Sequence, residues 1–182
     1  MAETIGQLGP AGDPARPSDA FGRVLFRVCE LAALFGCAVL ILLATTALIS
    51  IAGRACCARP LPGDYELAQM LVAIAVVACL PYCQMRGGNV KVDFFTARLS
   101  AAGRDVLDAI GAASVGLIGA VLAWRMCLGL LDLRRANDQS MILEIPSWYP
   151  YVLVIPCFAL LGVAGCYTAW RRLRAAPNRD GA

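Results

Sequence analysis

Histidine is absent from all 182 residues, and only 16% of the chain is charged. The first absence removes the usual ligand of haem, copper and catalytic zinc, the commonest general base, and the imidazole of serine and cysteine triads. The second lies well below the roughly 25% of an average soluble domain. Neither a Walker loop nor a dinucleotide fingerprint occurs, so nothing in the chain points to direct use of ATP. Cysteine, by contrast, is plentiful at nine residues, yet none forms a Cys-x-x-Cys pair. Cys56 and Cys57 are adjacent, Cys79 and Cys83 are four apart, and the rest are scattered. Most fall in apolar surroundings, where cysteine behaves as a small hydrophobe. A disulfide between neighbours is strained, so Cys56 and Cys57 would more readily pair with another chain. No metal, cofactor, catalytic residue or nucleic-acid partner is expected.

What the chain has in quantity is apolar sequence, at 59% hydrophobic residues and a mean hydropathy of +0.67. Four apolar runs stand out, at about 31–51, 67–85, 110–131 and 148–170. A helix rises 1.5 Å per residue, so about 20 residues cross a hydrocarbon core of roughly 30 Å. The expected fold is all-α, an integral membrane protein with four transmembrane helices spread over residues 20–174. Buried helices of a soluble protein would each need a polar face, and Leu31–Leu43 has none. A cleaved signal peptide would have a shorter apolar run and no long polar tail before it. Residues 1–19 are rich in Gly, Pro, Ala and Asp, a composition that cannot bury enough surface to order itself; residues 175–182 form a second short tail.

The basic residues set the orientation. Three precede span one (Arg16, Arg23, Arg27), four lie between spans two and three (Arg86, Lys91, Arg98, Arg104), and four follow span four (Arg171, Arg172, Arg174, Arg179). The other two loops hold two each, Arg54 with Arg59 and Arg134 with Arg135. The positive-inside rule therefore places both termini in the cytoplasm. Trp148, Tyr149 and Tyr151 open span four and Trp170 closes it, as rings at headgroup level do. Phe21, Val24, Leu25 and Val28 recur at helical spacing behind Ser18, a plausible cap. They describe either an in-plane interfacial helix or a cytoplasmic extension of span one. Phe94, Phe95 and Leu99 behind Asp93 pose the same alternatives.

An ionisable group inside the bilayer is a functional candidate by default. Arg125 is the clearest case. Asp132, seven positions on, shares nearly the same helical face, so Arg125 reads as an interfacial or partner-facing residue, with a substrate ligand as the alternative. No Asp or Glu occurs within 31–51, 67–85, 109–131 or 148–170. An ion-coupled pump needs an embedded carboxylate, so the chain is not expected to transport alone. Ala112, Gly116 and Ala120 are four apart, and Gly162 and Cys166 repeat that spacing; such small residues let helices approach closely, within the bundle or on a second subunit. Pro81 and Pro156 are expected to kink or loosen their helices.

Gly63-Asp64-Tyr65-Glu66-Leu67-Ala68-Gln69 opens span two, Leu80-Pro81-Tyr82-Cys83-Gln84 ends it, and Arg86-Gly87-Gly88-Asn89-Val90-Lys91-Val92-Asp93-Phe94-Phe95 comes next. These segments, with Pro146-Ser147-Trp148-Tyr149, resemble the small membrane subunit (DctQ type) of tripartite ATP-independent periplasmic, or TRAP, transporters. The resemblance implies a bacterial inner-membrane accessory subunit. It would brace a large, multi-span, ion-coupled membrane subunit while an organic acid is delivered by a periplasmic solute-binding protein. Glu66, Arg86, Asn89, Asp93, Gly116 and Arg125 are then the candidates for the partner interface, with membrane lipid around the spans. By its residues alone the loop after span two is also a well-made turn: Arg86 at a helix C-terminus, Gly87 and Gly88 to stop it, and Asp93 to cap the next segment. Two other readings stay open, a self-contained four-helix exporter using Arg125 and a membrane thiol protein using Cys56 and Cys57.

Overall fold

A computed structural model describes residues 19–57, 63–87 and 101–175, without the side chains of residues 57, 101, 102, 104, 105 and 175. Four helices account for nearly all of it: α1 (Ala20–Cys57), α2 (Asp64–Arg86), α3 (Ala101–Ala136) and α4 (Tyr149–Ala175). All four are long and apolar enough to cross a membrane. The expected tails, the Ser18 cap and the Asp93–Leu99 segment lie outside the described residues.

Each helix outruns its apolar stretch, because hydropathy marks the lipid-soluble middle whereas the backbone continues until something caps it. α1 is the extreme case. It runs unbroken for 38 residues, about 57 Å against a core of roughly 30 Å. The amphipathic segment before span one is thus the first part of the same helix. Leu25 and Cys29 are buried against Ala164 and Tyr167 of α4, while Phe21, Val24 and Val28 of the expected apolar stripe remain exposed. α2 ends at Gly87, whose φ of 64° is the left-handed geometry glycine tolerates, with its N–H donating to the carbonyls of Cys83 and Gln84. α3 ends at Asn137, also left-handed at φ 50°. Pro81 and Pro156 both lie inside continuous helices.

The helices pack in the order α1, α2, α4, α3, with the two inner ones parallel and each outer one antiparallel to its neighbour. Side-chain contacts fix the ends: Phe21 and Tyr167 rings lie 5.8 Å apart and Phe26 and Tyr82 5.8 Å, while Arg172 pairs with Asp108. The start of α1 and the end of α4 therefore share one face of the membrane. Between the faces a core joins Val39, Ile74, Ala75, Val154, Phe158 and Leu161. Outside it, Leu31, Leu34, Ile41, Leu48 and Ile51 of α1 are all at least 60% exposed. Water would make such a surface costly, and a hydrocarbon surrounding makes it neutral.

Glycine sets the tightest contacts. A Cβ on Gly165 would sit 2.5 Å from Gly116 Cα and 2.9 Å from the Ala112 carbonyl, so the backbones of α4 and α3 touch there. The same test gives 3.1 Å from a Cβ on Gly119 to the Gly162 nitrogen, and 2.9 Å from a Cβ on Gly36 of α1 to the Ala75 carbonyl of α2. Overpacking a contact of this kind costs about 1–3 kcal/mol. Gly165→Ala should accordingly lower the thermal unfolding midpoint of the purified chain. Gly111→Ala, whose added Cβ meets nothing within 4 Å, should not lower it, and the better helix propensity of alanine should raise it slightly.

Candidate functional site: polar clamps at the two membrane faces

No polar centre at mid-depth emerges among the described residues; the polar side chains gather in two bands, one at each end of the bundle. No group of three or more potential metal ligands occurs there either.

At the end where α1 stops, α2 begins with two acids in its first turn, Asp64 and Glu66, where the helix macrodipole favours negative charge. Gly63 precedes them at φ 76°, packed so closely on Leu143 that a Cβ would clash. Ser50 of α1, 3% exposed, donates a hydrogen bond to Asp64 Oδ2 at 2.6 Å, and Arg54 lies 3.6 Å from the same oxygen. This ties α1 to α2 beyond the apolar layer. Glu66 reaches the other way, to the loop between α3 and α4. Its carboxylate accepts from the Ser140 hydroxyl and from the backbone N–H groups of Ile142 and Leu143, both at 3.2 Å. The loop closes on itself through Ser140 N–H to the Ile145 carbonyl at 2.9 Å and Ser147 N–H to Asp138 at 3.1 Å. One carboxylate thus anchors the loop crest, leaving Met141 and Ile142 projecting outward at 97% and 60% exposure.

At the opposite end Arg86 extends over the rings of Tyr82 and Phe26, at 5.3 and 5.9 Å from their centres. Such cation–π contacts are worth about 0.5–1 kcal/mol at exposed sites. Asp108 and Arg172, both about a quarter exposed, tie α3 to α4. Arg174 stacks on Trp170 at 4.0 Å.

Of the six residues singled out from sequence, four are among the described residues, and the structure brings no two of these together. Glu66 is engaged by the loop of its own chain, and Arg86 by α1 and its own helix. Gly116 packs within the bundle, one of the two alternatives its spacing allowed: it is buried against Gly162, Gly165 and Cys166 of α4, where only a residue without a side chain fits the crossing. Arg125 is exposed on α3, in a shallow hollow of about 370 Å3 that it shares with Asp132 and Arg135 of the same helix. Asn89 and Asp93 lie outside the described residues. Sequence reasoning missed the Glu66–Ser140 and Asp108–Arg172 pairs, since residues 74 and 64 positions apart carry no local spacing signal. The Gly162-x-x-Gly165 and Gly116-x-x-Gly119 pairs were visible signs of the crossing.

Removing the anchor should free the loop. In Glu66→Ala the amides of Ile142 and Leu143 should exchange with solvent about tenfold faster or more, the loss of hydrogen bonds to a charged group being worth about 1.5–3 kcal/mol. Exchange within the second half of α2, read in the same experiment, should not change.

The comparisons with known proteins bear on the whole assembly of helices. A family model, described as "Tripartite ATP-independent periplasmic transporters, DctQ component", matches residues 43–175. No curated protein and no solved structure matches. The match takes in the end of α1 and all of α2, α3 and α4, together with both polar bands, and the chain therefore belongs to the DctQ family, the small membrane component of TRAP transporters.

Proposed function

We propose that this chain is a non-catalytic brace for the large, ion-coupled membrane subunit of a TRAP transporter. That transporter would take up an organic acid delivered by a periplasmic binding protein. Both termini would lie in the cytoplasm, following the excess of arginine at the end where α1 begins and α4 finishes. The observation that carries the reading is the absence of any Asp or Glu from the four apolar stretches. Without an embedded carboxylate the chain has no group to bind and release a coupling proton, nor an acidic ligand for a cation, at mid-depth.

A brace must be stiff and must present apolar surface. The glycine crossings and the polar clamps supply stiffness, and the outward rows of leucine and isoleucine on α1 supply surface. The self-contained exporter would need Arg125 turned toward an internal passage, whereas Arg125 is exposed and its hollow is lined by α3 alone. The candidate contacts to the large subunit are the exposed Arg125 on one outer helix, the exposed face of α1, and the loop crest that Glu66 holds. Arg86, Asn89 and Asp93 are the candidates at the cytoplasmic end.

In proteoliposomes the chain alone should give no saturable, gradient-driven uptake, and the same chain with a large TRAP membrane subunit and its binding protein should. Saturable uptake by the isolated chain would overturn the reading. Orientation is tested separately with a variant retaining Cys56 as its single cysteine. An impermeant maleimide should modify that thiol in intact spheroplasts, and modification only after lysis would reverse the assigned topology.

A further inference from the structure

Among the described residues, one flank of α4 is left uncovered between α3 and the start of α1. There Ala159, Gly162 and Val163 of α4, with Ala120 and Ala123 of α3, line an apolar groove of about 890 Å3. At one end the groove meets Tyr167 and Trp170, with Phe21 of α1 and Asp19, just before that helix, across its mouth. From Ala159 to Trp170 the helix rises about 16 Å, half of a hydrocarbon core of roughly 30 Å. Ala159 is also the midpoint of the apolar stretch 148–170. The groove therefore runs from one membrane face to mid-depth, the extent of a single leaflet. A partner's transmembrane helix would need a trough across the full thickness.

The mouth carries a distinct chemistry. Tyr167 is only 7% exposed, and its hydroxyl has no hydrogen-bond partner among the described residues. A buried, unpaired hydroxyl is unfavourable unless a ligand supplies the missing partner. Two guanidinium groups stand over the rings at this end, Arg174 4.0 Å from the Trp170 centre and Arg171 6.0 Å from that of Tyr167, and the carboxylate-bearing Asp19 is among the lining residues. Arginine matches a phosphate's oxygens, and aromatic rings sit at headgroup depth. We propose that this groove is a binding site for one glycerophospholipid from the leaflet in which α1 begins and α4 ends. Its phosphodiester sits at Arg174 and Arg171, an ester or phosphate oxygen accepts from the Tyr167 hydroxyl once the exposed Phe21 ring, 5.8 Å from the Tyr167 ring, swings aside, and an acyl chain lies along Gly162 and Ala159, where small side chains leave room.

The test uses the full chain purified in detergent and phosphatidylglycerol carrying a photoreactive acyl chain, with bound lipid counted by native mass spectrometry. The expected result is one retained phospholipid per chain, with adducts concentrated between residues 159 and 170 and at 120–123. Ala159→Phe should displace a few methylenes and weaken retention about tenfold, since each buried methylene is worth roughly 0.8 kcal/mol. Tyr167→Phe, which keeps the ring, should weaken it about threefold or more for one lost hydrogen bond. Ala113→Phe, on an exposed face of α3 outside the groove, should change nothing. Diacylglycerol, which lacks the phosphate, should be retained less well. Adducts spread evenly over the apolar surface, equal retention of diacylglycerol, or unaltered binding in both groove variants would each overturn the proposal. So would loss of groove adducts in the assembled transporter in favour of cross-links to a helix of the large subunit. Should Ala159→Phe lower the unfolding midpoint, Tyr167→Phe and the diacylglycerol comparison decide the matter.

Discussion

In hydrocarbon, apolar side chains gain nothing from burying themselves against one another, so helices stay together through close van der Waals packing and polar contacts. The architecture reflects that restriction. At the crossing of α3 and α4, Gly165 lies against Gly116 with no room for even a methyl group, and backbone meets backbone over several residues. Gly36 does the same for α1 on α2. Remove these approaches and the large side chains around them, Phe158, Leu161 and Val154, would have lipid for neighbours instead of each other.

The polar groups complete the packing outside the apolar layer, where water and headgroups tolerate them. Ser50 with Arg54 and Asp64 joins α1 to α2, Asp108 with Arg172 joins α3 to α4, and Glu66 binds the outer loop to the start of α2. Every helix thus has a backbone contact at depth and a polar tie at an interface. What such a chain offers its surroundings is an apolar outer surface with a polar loop crest held by Glu66. On the proposed reading, these features serve the support of the large membrane subunit.

The elements differ in how legible they were. Four helices could be read from hydropathy alone, because a stretch of some twenty apolar residues has few other stable fates. Gly87 as the end of α2 was equally readable, since a glycine after a basic last turn is a strong local stop signal. The length of α1 was not. Its first turns are only mildly amphipathic, and continuity depends on Leu25 and Cys29 finding Tyr167, which is remote in the chain. The same holds for Glu66: its place in the first turn of α2 was plain, but its partners lie in a loop that only folding brings near. Gly116 was recognisable as a packing residue, with two possible partners, and the neighbouring helix settled which.

Length, apolarity, the missing histidine and the acid-free spans are properties of the chain read in order, and they determined a four-span membrane protein without a carboxylate in its apolar stretches. Tertiary structure alone decided that α2 and α4 lie innermost, that the small residues of α3 and α4 pack at this chain's own crossing, and that an apolar groove runs beside α4 among the described residues. The reason is that partition into lipid depends on each segment by itself, whereas contacts in lipid depend on the shape of two surfaces at once.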